Sequence, residues 1–264
     1  VIRASPTRRA TPLPIAILAA VGVVFVGLPI AALLIRAPWS DLFHELASAG
    51  AWTALRMSIV VSLAAAASSF VLGTPVAWVL ARGSLPGRSI VRALVILPLV
   101  LPPVVGGVGL LAALGRSGVV GRWLDAIGIQ LTFNVWGAVV ATTFVSVPLV
   151  ILATEAGLRS LDPRFERAAA AMGASRWYVL RRVTIPMLRP QLAAGLVLAW
   201  ARALGEFGAT ITFAGNLAGR TQTLPLAVYQ ARQTDPGAAI LIALIMVALS
   251  LLVLVAMRDR IFAR

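Results

Sequence analysis

Six apolar runs, each about 20 residues or longer, constrain this chain more than any other feature of its sequence. They cover about 13–35, 55–81, 90–114, 133–154, 190–214 and 238–257. A run of that length crosses a hydrocarbon layer of about 30 Å as one helix. Within hydrocarbon only helices and closed barrels satisfy their own backbone groups. The runs therefore predict an all-α, polytopic membrane protein with six transmembrane helices in a single transmembrane domain over residues 1–264. Composition agrees, with 60% hydrophobic and 12% charged residues, against about 25% charged in soluble domains. The first run, behind Arg8 and Arg9, is longer than the core of a cleaved signal peptide and reads as a retained first helix.

A formal charge of +14 invites comparison with nucleic-acid-binding proteins, but its placement excludes that reading. With the N-terminus inside, the inner segments hold Arg3, Arg8, Arg9, Arg82, Arg88, Arg92, seven arginines from Arg159 to Arg189, and Arg258, Arg260 and Arg264. The outer loops hold Arg36, Arg116, Arg122, Arg220 and Arg232, with Arg56 near a span end. This asymmetry is the positive-inside signature of a membrane protein. It predicts cytoplasmic N- and C-termini, a lipid bilayer as surroundings and no nucleic-acid partner.

Missing residue types narrow the chemistry. The chain has no cysteine, so thiolate and disulfide chemistry are excluded, and its one histidine, His44, falls in a short outer loop. Every basic residue is arginine. Without lysine there is no phosphate-binding loop of the GxxxxGK[ST] type. No catalytic set and no metal site is expected, and no cofactor on this chain.

Three runs carry more than apolar bulk. In "LPLVLPPVVGGVGLL", residues 97–111, prolines remove backbone donors and glycines permit close approach. Pro102, Pro103, Gly106 and Gly107 mark either a kinked packing helix or a break lining a pore. In "SLAAAASSFVLGTP", residues 62–75, Ser62, Ser68, Ser69 and Thr74 mark close helix packing, with a polar pore lining the alternative. The fifth run holds Arg202 and Glu206 at i and i+4, on one helix face, with Gly205 and Gly208 beside them. Glu206 reads as the only clearly buried carboxylate. The pair either neutralises itself and locks packing, or Arg202 supplies positive potential to an anion route. The sixth run is almost wholly aliphatic and reads as lipid-facing.

Between the fourth and fifth runs, at about 159–189, lies "FERAAAAMGASRWYVLRRVTIP", residues 165–186. Asp162 is a good N-cap and Pro163 suits the first helical position, so a helix is predicted as far as Met172. Gly173 can take a left-handed stop. Ser175 can cap a second short helix, ending near Pro186. An alanine run with no bulk, then an amphipathic segment with Trp177 and Tyr178, reads as a docking element for another protein. Basic and aromatic residues also favour a segment lying on anionic lipid, which accounts for the arginines and Trp177 but not for the glycine elbow.

The spacing of Glu166, Ala168, Ala169, Gly173, Ile185 and Pro186 resembles the "EAA" loop of binding-protein-dependent ABC importer permeases. Arg167 replaces the first alanine of the literal triplet. In that family the loop forms the coupling helix that sits in a cleft of the ATP-binding subunit. A second likeness joins "RALGEFGATITFAGN", residues 202–216, with "LPLVLPPVVGG" and "TQTLPLAVY" at 221–229. It is similar to the permeases for tetrahedral oxyanions (molybdate, tungstate, sulfate and thiosulfate), and most to those for molybdate. The likeness covers roughly residues 55 to 258.

The resemblance implies an ABC importer permease (MetI-like) fold in a prokaryotic plasma membrane. It implies a homodimer of this chain on two ATP-binding subunits, an extracytoplasmic binding protein delivering the oxyanion, and a first span that wraps the partner copy. A secondary anion transporter would favour more carboxylates within its spans, and an intramembrane enzyme would need a nucleophile and base that are not seen.

Overall fold

The computed structural model describes residues 12–261, and every regular element among them is helical. In chain order these are α1 (Leu13–Arg36), α2 (Leu42–Ala47), α3 (Ala49–Arg82), α4 (Arg88–Val100), α5 (Pro103–Leu114), α6 (Gly121–Ala126) and α7 (Val135–Ser160). There follow α8 (Pro163–Ala171), α9 (Arg176–Val179), α10 (Ile185–Leu204), α11 (Gly208–Phe213), α12 (Leu224–Thr234) and α13 (Pro236–Ile261). Five helices are long and apolar enough to cross a membrane, and a bent pair, α4 with α5, makes a sixth. Arg3, Arg8, Arg9 and Arg264, part of the positive charge expected on the inner side, lie outside the described residues, as do the side chains of Arg258 and Arg260.

Helix α7 is the hub, with α3, α10, α4 and α11 packed around it. No hydrophobic effect drives helices together inside lipid, so small side chains and interhelical hydrogen bonds must hold them. Ser69 of α3 meets Ser146 of α7 with hydroxyl oxygens 2.9 Å apart. A Cβ on Gly73 would stand 3.2 Å from Val150, and one on Gly195 of α10 would stand 3.0 Å from Ala153. Trp200 of α10 donates from Nε1 to Ser62 of α3 at 2.9 Å. Ser62 and Ser69 thus serve helix packing, as their small neighbours suggest.

The run at 90–114 is not one helix. Its halves α4 and α5 are bent by 118°. Leu101 precedes a proline and is driven to extended backbone, φ −64° and ψ 137°. Pro102 follows it there, φ −54° and ψ 129°, before Pro103 opens α5 at its first turn. The run at 190–214 also divides, because α10 stops at Leu204 and α11 starts at Gly208.

The second short helix does not end near Pro186. Residues Arg176 to Leu204 form one helix of 29 residues, through a π-helical turn at Leu180–Thr184. The wider turn lets Ile185 N–H donate to the carbonyl of Leu180, five residues back. Pro186, which has no N–H to give, then enters just beyond the widened turn without interrupting the helix. Nor is α13 wholly lipid-facing: Leu241 and Ile242 are buried, with Ile242 in a cluster with Leu224 and Ala227 of α12, while Leu252 and Val255 remain exposed. Helix α1 has no buried residue and touches α13.

The two broken spans meet. A Cβ on Gly107 of α5 would stand 2.6 Å from Cβ of Thr212 and 3.0 Å from the carbonyl oxygen of Ala209, both on α11. From the other side, a Cβ on Gly208 would stand 2.9 Å from Pro103. Gly107→Val should therefore destabilise the chain by about 1–3 kcal/mol, as overpacking does. Gly109→Ala, where a Cβ meets nothing within 4 Å, should leave stability within about 0.5 kcal/mol of the parent. Thermal unfolding of the detergent-purified variants checks both, and equal midpoints would disprove this close contact.

Candidate functional site

The junction of α5 and α11 positions the ionisable pair of the fifth run. Arg202 lies in the last turn of α10, and Glu206 in the break that follows. The helix ends between them, so they do not share a continuous helical face as the i, i+4 spacing suggests. They still pair, with Arg202 Nη1 2.6 Å from Glu206 Oε2. The other oxygen, Glu206 Oε1, accepts from Ala209 N–H at 2.7 Å, capping the first turn of α11. Glu206 thus ties the end of α10 to the start of α11 and is buried, whereas the Arg202 side chain stays about 30% exposed. A buried carboxylate with both oxygens engaged is a structural joint. A half-open guanidinium beside it can still present N–H donors to an anion.

Of the other residues singled out in these spans, Gly208 and Pro103 meet across the junction. Gly107 lies in the same contact, while Gly106 faces Phe144 of α7, where a Cβ would stand 2.9 Å from the ring. Pro102 forms the bend itself. Gly205 has open space at its Cβ position, so it serves the end of α10 rather than a close contact.

At the opposite end of α7, the 159–189 segment folds as its caps suggest. Asp162 accepts from Arg164 N–H at 2.9 Å, and Ser175 accepts from Tyr178 N–H at 3.3 Å. Gly173 has φ +84°, and the chain turns there between α8 and α9. Glu166 points inward: its Oε1 accepts from Thr184 Oγ1 at 2.9 Å and lies 3.4 Å from Arg82 Nη2. It fastens α8 both to the π-helical turn and to the end of α3. Ala169 also faces inward, 7% exposed, while Ala168 is exposed. Of the closing pair, Ile185 is exposed and Pro186 half-buried. The projecting bulk comes from Phe165 and Met172, seven apart on α8 and the next residue, with Met172 82% exposed. Trp177 and Tyr178 are exposed as well, and the Arg181 guanidinium lies 5.9 Å from the Trp177 ring. Two bulky apolar residues spaced by seven, with only proline, charged residues and alanine between and before them, were a legible signal for Phe165 and Met172.

Glu206 is not the only buried carboxylate. Glu155, near the end of α7, is 4% exposed and accepts from Arg159 at 2.9 Å and from Arg92 of α4. It joins the first half of the bent span to α7. Arg159 is its i+4 neighbour, a spacing visible in the sequence, whereas Arg92 comes from 63 residues away.

Residues 73–262 match the family model described as binding-protein-dependent transport system inner membrane component. The molybdenum transport system permease protein ModB of Mycobacterium tuberculosis is 44% identical over 241 residues, 90% of each chain. The sulfate transport system permease protein CysT of Escherichia coli K12 is 35% identical over 231 residues, 86% of this chain and 83% of that one. Among solved structures, a bacterial alginate ABC transporter in complex with its alginate-loaded periplasmic protein is similar at a TM-score of 0.74. That match has 20% identity and covers 94% of both chains. It speaks for the fold, an ABC importer permease fold in a multi-pass membrane protein. On the strength of its sequence from residue 73 to 262, this chain belongs to the binding-protein-dependent transport system inner membrane component family.

Proposed function

We propose that this chain is the transmembrane subunit of an ATP-driven importer that moves a tetrahedral oxyanion, molybdate, into the cytoplasm. The observation that carries the substrate is likeness over nine-tenths of the chain to permeases named for molybdenum, at 44% identity against 35% for a sulfate permease. A half-open arginine at the junction of two broken spans suits an anionic cargo. Two copies of the chain sit on two ATP-binding subunits, and hydrolysis is assigned to those subunits because a loop of the GxxxxGK[ST] type cannot be written without lysine. An extracytoplasmic binding protein delivers the oxyanion. The termini and the 159–189 loop are cytoplasmic, in keeping with the arginine asymmetry, and the exposed α1 lies along the partner copy.

In this reading the 159–189 loop is the coupling element. Phe165 and Met172 enter the cleft of the ATP-binding subunit, and Glu166 holds the loop against Arg82 and Thr184. The continuous helix from Arg176 to Leu204 links that loop to the junction at Arg202.

Uptake of radiolabelled molybdate by cells carrying the complete transporter tests the substrate. Molybdate should accumulate, and a tenfold excess of sulfate should lower its initial rate by less than half. Sulfate competing on equal terms would favour the sulfate-permease reading.

For the buried pair, Glu206→Gln or Arg202→Met alone should reduce assembled complex, because breaking a buried pair costs about 3–5 kcal/mol in soluble proteins. The double variant should recover assembly. Uptake per assembled complex in the double then decides the role of Arg202: restored uptake makes it a packing residue, and lost uptake places it on the anion route.

Gly173→Val meets no steric obstacle but must hold a β-branched residue at φ +84°, a strain of about 1–3 kcal/mol. The variant should insert and assemble, yet its ATPase rate should no longer rise with loaded binding protein. Normal stimulation would exclude the loop as the coupling element.

A further inference from the structure

At the N-terminal end of α7, remote from the 159–189 loop, lies a polar cavity of about 700 Å³. None of the residues discussed above as pathway or docking residues uses it. Helix α7 has 26 residues, so the two ends lie about 39 Å apart, on opposite sides of a bilayer. Three separate stretches build the cavity: Arg116 and Ser117 after α5, Thr132 to Asn134 before α7, and Arg220 between α11 and α12.

Its lining has two guanidiniums and no carboxylate. Arg116 is ion-paired with Asp125, outside the lining, at 3.7 Å, and both side chains are exposed. No other carboxylate pairs with Arg116 among the described residues. The guanidinium of Arg220 has no hydrogen-bond or ion-pair partner among them. Guanidiniums at a wall shared with hydroxyl groups are fitted to an oxyanion, whose oxygens accept the paired N–H groups of the fork. Ser117 and Thr132 supply further donors. Asn134 is already engaged, accepting from Gly137 N–H at 3.0 Å as the N-cap of α7.

The walls are held in place. Thr221, fully buried, donates to the carbonyl of Gly215 at 3.2 Å and accepts from Leu217 N–H at 3.0 Å, fixing the loop that carries Arg220. Phe133 has φ +56° and is the one non-glycine residue among those described in the left-handed region. Its ring lies against Gly215, where a Cβ would stand 3.1 Å away. A bulky residue keeps such a backbone only where its surroundings over-determine it, and these strained positions cluster at sites of function. The cavity also touches the route inward, through Leu111 of α5 and, behind Phe133, through Gly215 just after α11. Those two helices form the junction of the broken spans.

We propose that this cavity is a capture site for a tetrahedral oxyanion at the extracytoplasmic mouth of the chain, with Arg116 and Arg220 as its binding residues. Two positive charges at the mouth raise the local concentration of a divalent anion and receive it before it reaches Arg202. The ligand class rests on the import reading above; the location rests on the cavity and its two arginines, of which Arg220 has no partner among the described residues.

The test is equilibrium dialysis of the full chain in nanodiscs, without binding protein, against radiolabelled molybdate and, separately, sulfate. Saturable binding is expected, weakened about tenfold (about 1.4 kcal/mol) by Arg116→Gln or Arg220→Gln and abolished by the double. Arg220→Lys, which keeps the charge without the fork, should fall between. Arg232→Gln, in the last turn of α12 and outside this lining, should bind as the parent does. No saturable binding by the parent chain at millimolar anion, or binding that survives the double variant, would overturn the site. So would a double variant that loses only its association with the binding protein, which would make the cavity a protein-docking surface. Molybdate uptake by the complete transporter, measured in parallel, separates the two readings. Uptake without anion binding at the cavity removes this inference alone, and binding without uptake removes the import reading alone.

Discussion

Backbone groups freed at a helix break inside hydrocarbon must find partners within the protein. Among the described residues, two of the apolar runs break, at Leu101–Pro102 and at Gly205–Phe207, and the segments beyond the breaks lie against each other. Glycine at Gly107 and Gly208 lets α5 and α11 approach closely enough to shield both breaks. Glu206 completes the second by receiving the Ala209 N–H while paired with Arg202. A charged residue at this depth is costly by itself. Here its cost is offset because one carboxylate serves as helix cap, ion-pair partner and hinge between helices.

A second carboxylate organises the other end of α7. Glu155 gathers Arg92 and Arg159, and Glu166 gathers Arg82 and Thr184. Arg82, Arg92 and Arg159 therefore have internal structural partners at this end. At the far end, Arg220 has none among the described residues, and Arg116 has the exposed Asp125, 3.7 Å away.

Much of this was legible in the sequence because it rests on local chemistry. Apolar run length marks the membrane helices, while Asp162, Ser175 and Gly173 mark the caps and elbow from nearest-neighbour backbone preferences alone. Consecutive prolines at 102 and 103 announced a disturbance, though not a bend of 118°. The break at Gly205 was hidden, since a lone glycine in an apolar run reads equally as a packing residue. The passage of the helix through Pro186 was hidden too, because a π-helical turn has no composition of its own. Burial of Glu155 depends on Arg92, 63 residues away, and no periodicity reports a partner at that distance. The inward aim of Glu166 and Ala169 is likewise set by α3 and the π-helical turn, outside their own helix.

The unbroken helix from Arg176 to Leu204 makes residue count a mechanical quantity. Each residue of an α-helix turns its successors by about 100° and advances them by about 1.5 Å. The π-helical turn at Leu180–Thr184 adds one residue's worth of phase between the exposed Trp177 face and the face that carries Arg202. Length in this segment therefore sets angle: losing or gaining a single residue there would leave every local contact type available, yet swing Arg202, and Glu206 with it, by about 100° relative to the Trp177 face. Substitutions along the rod change its surface, whereas a one-residue insertion or deletion changes its timing. In this segment the sequence is constrained by arithmetic as much as by chemistry.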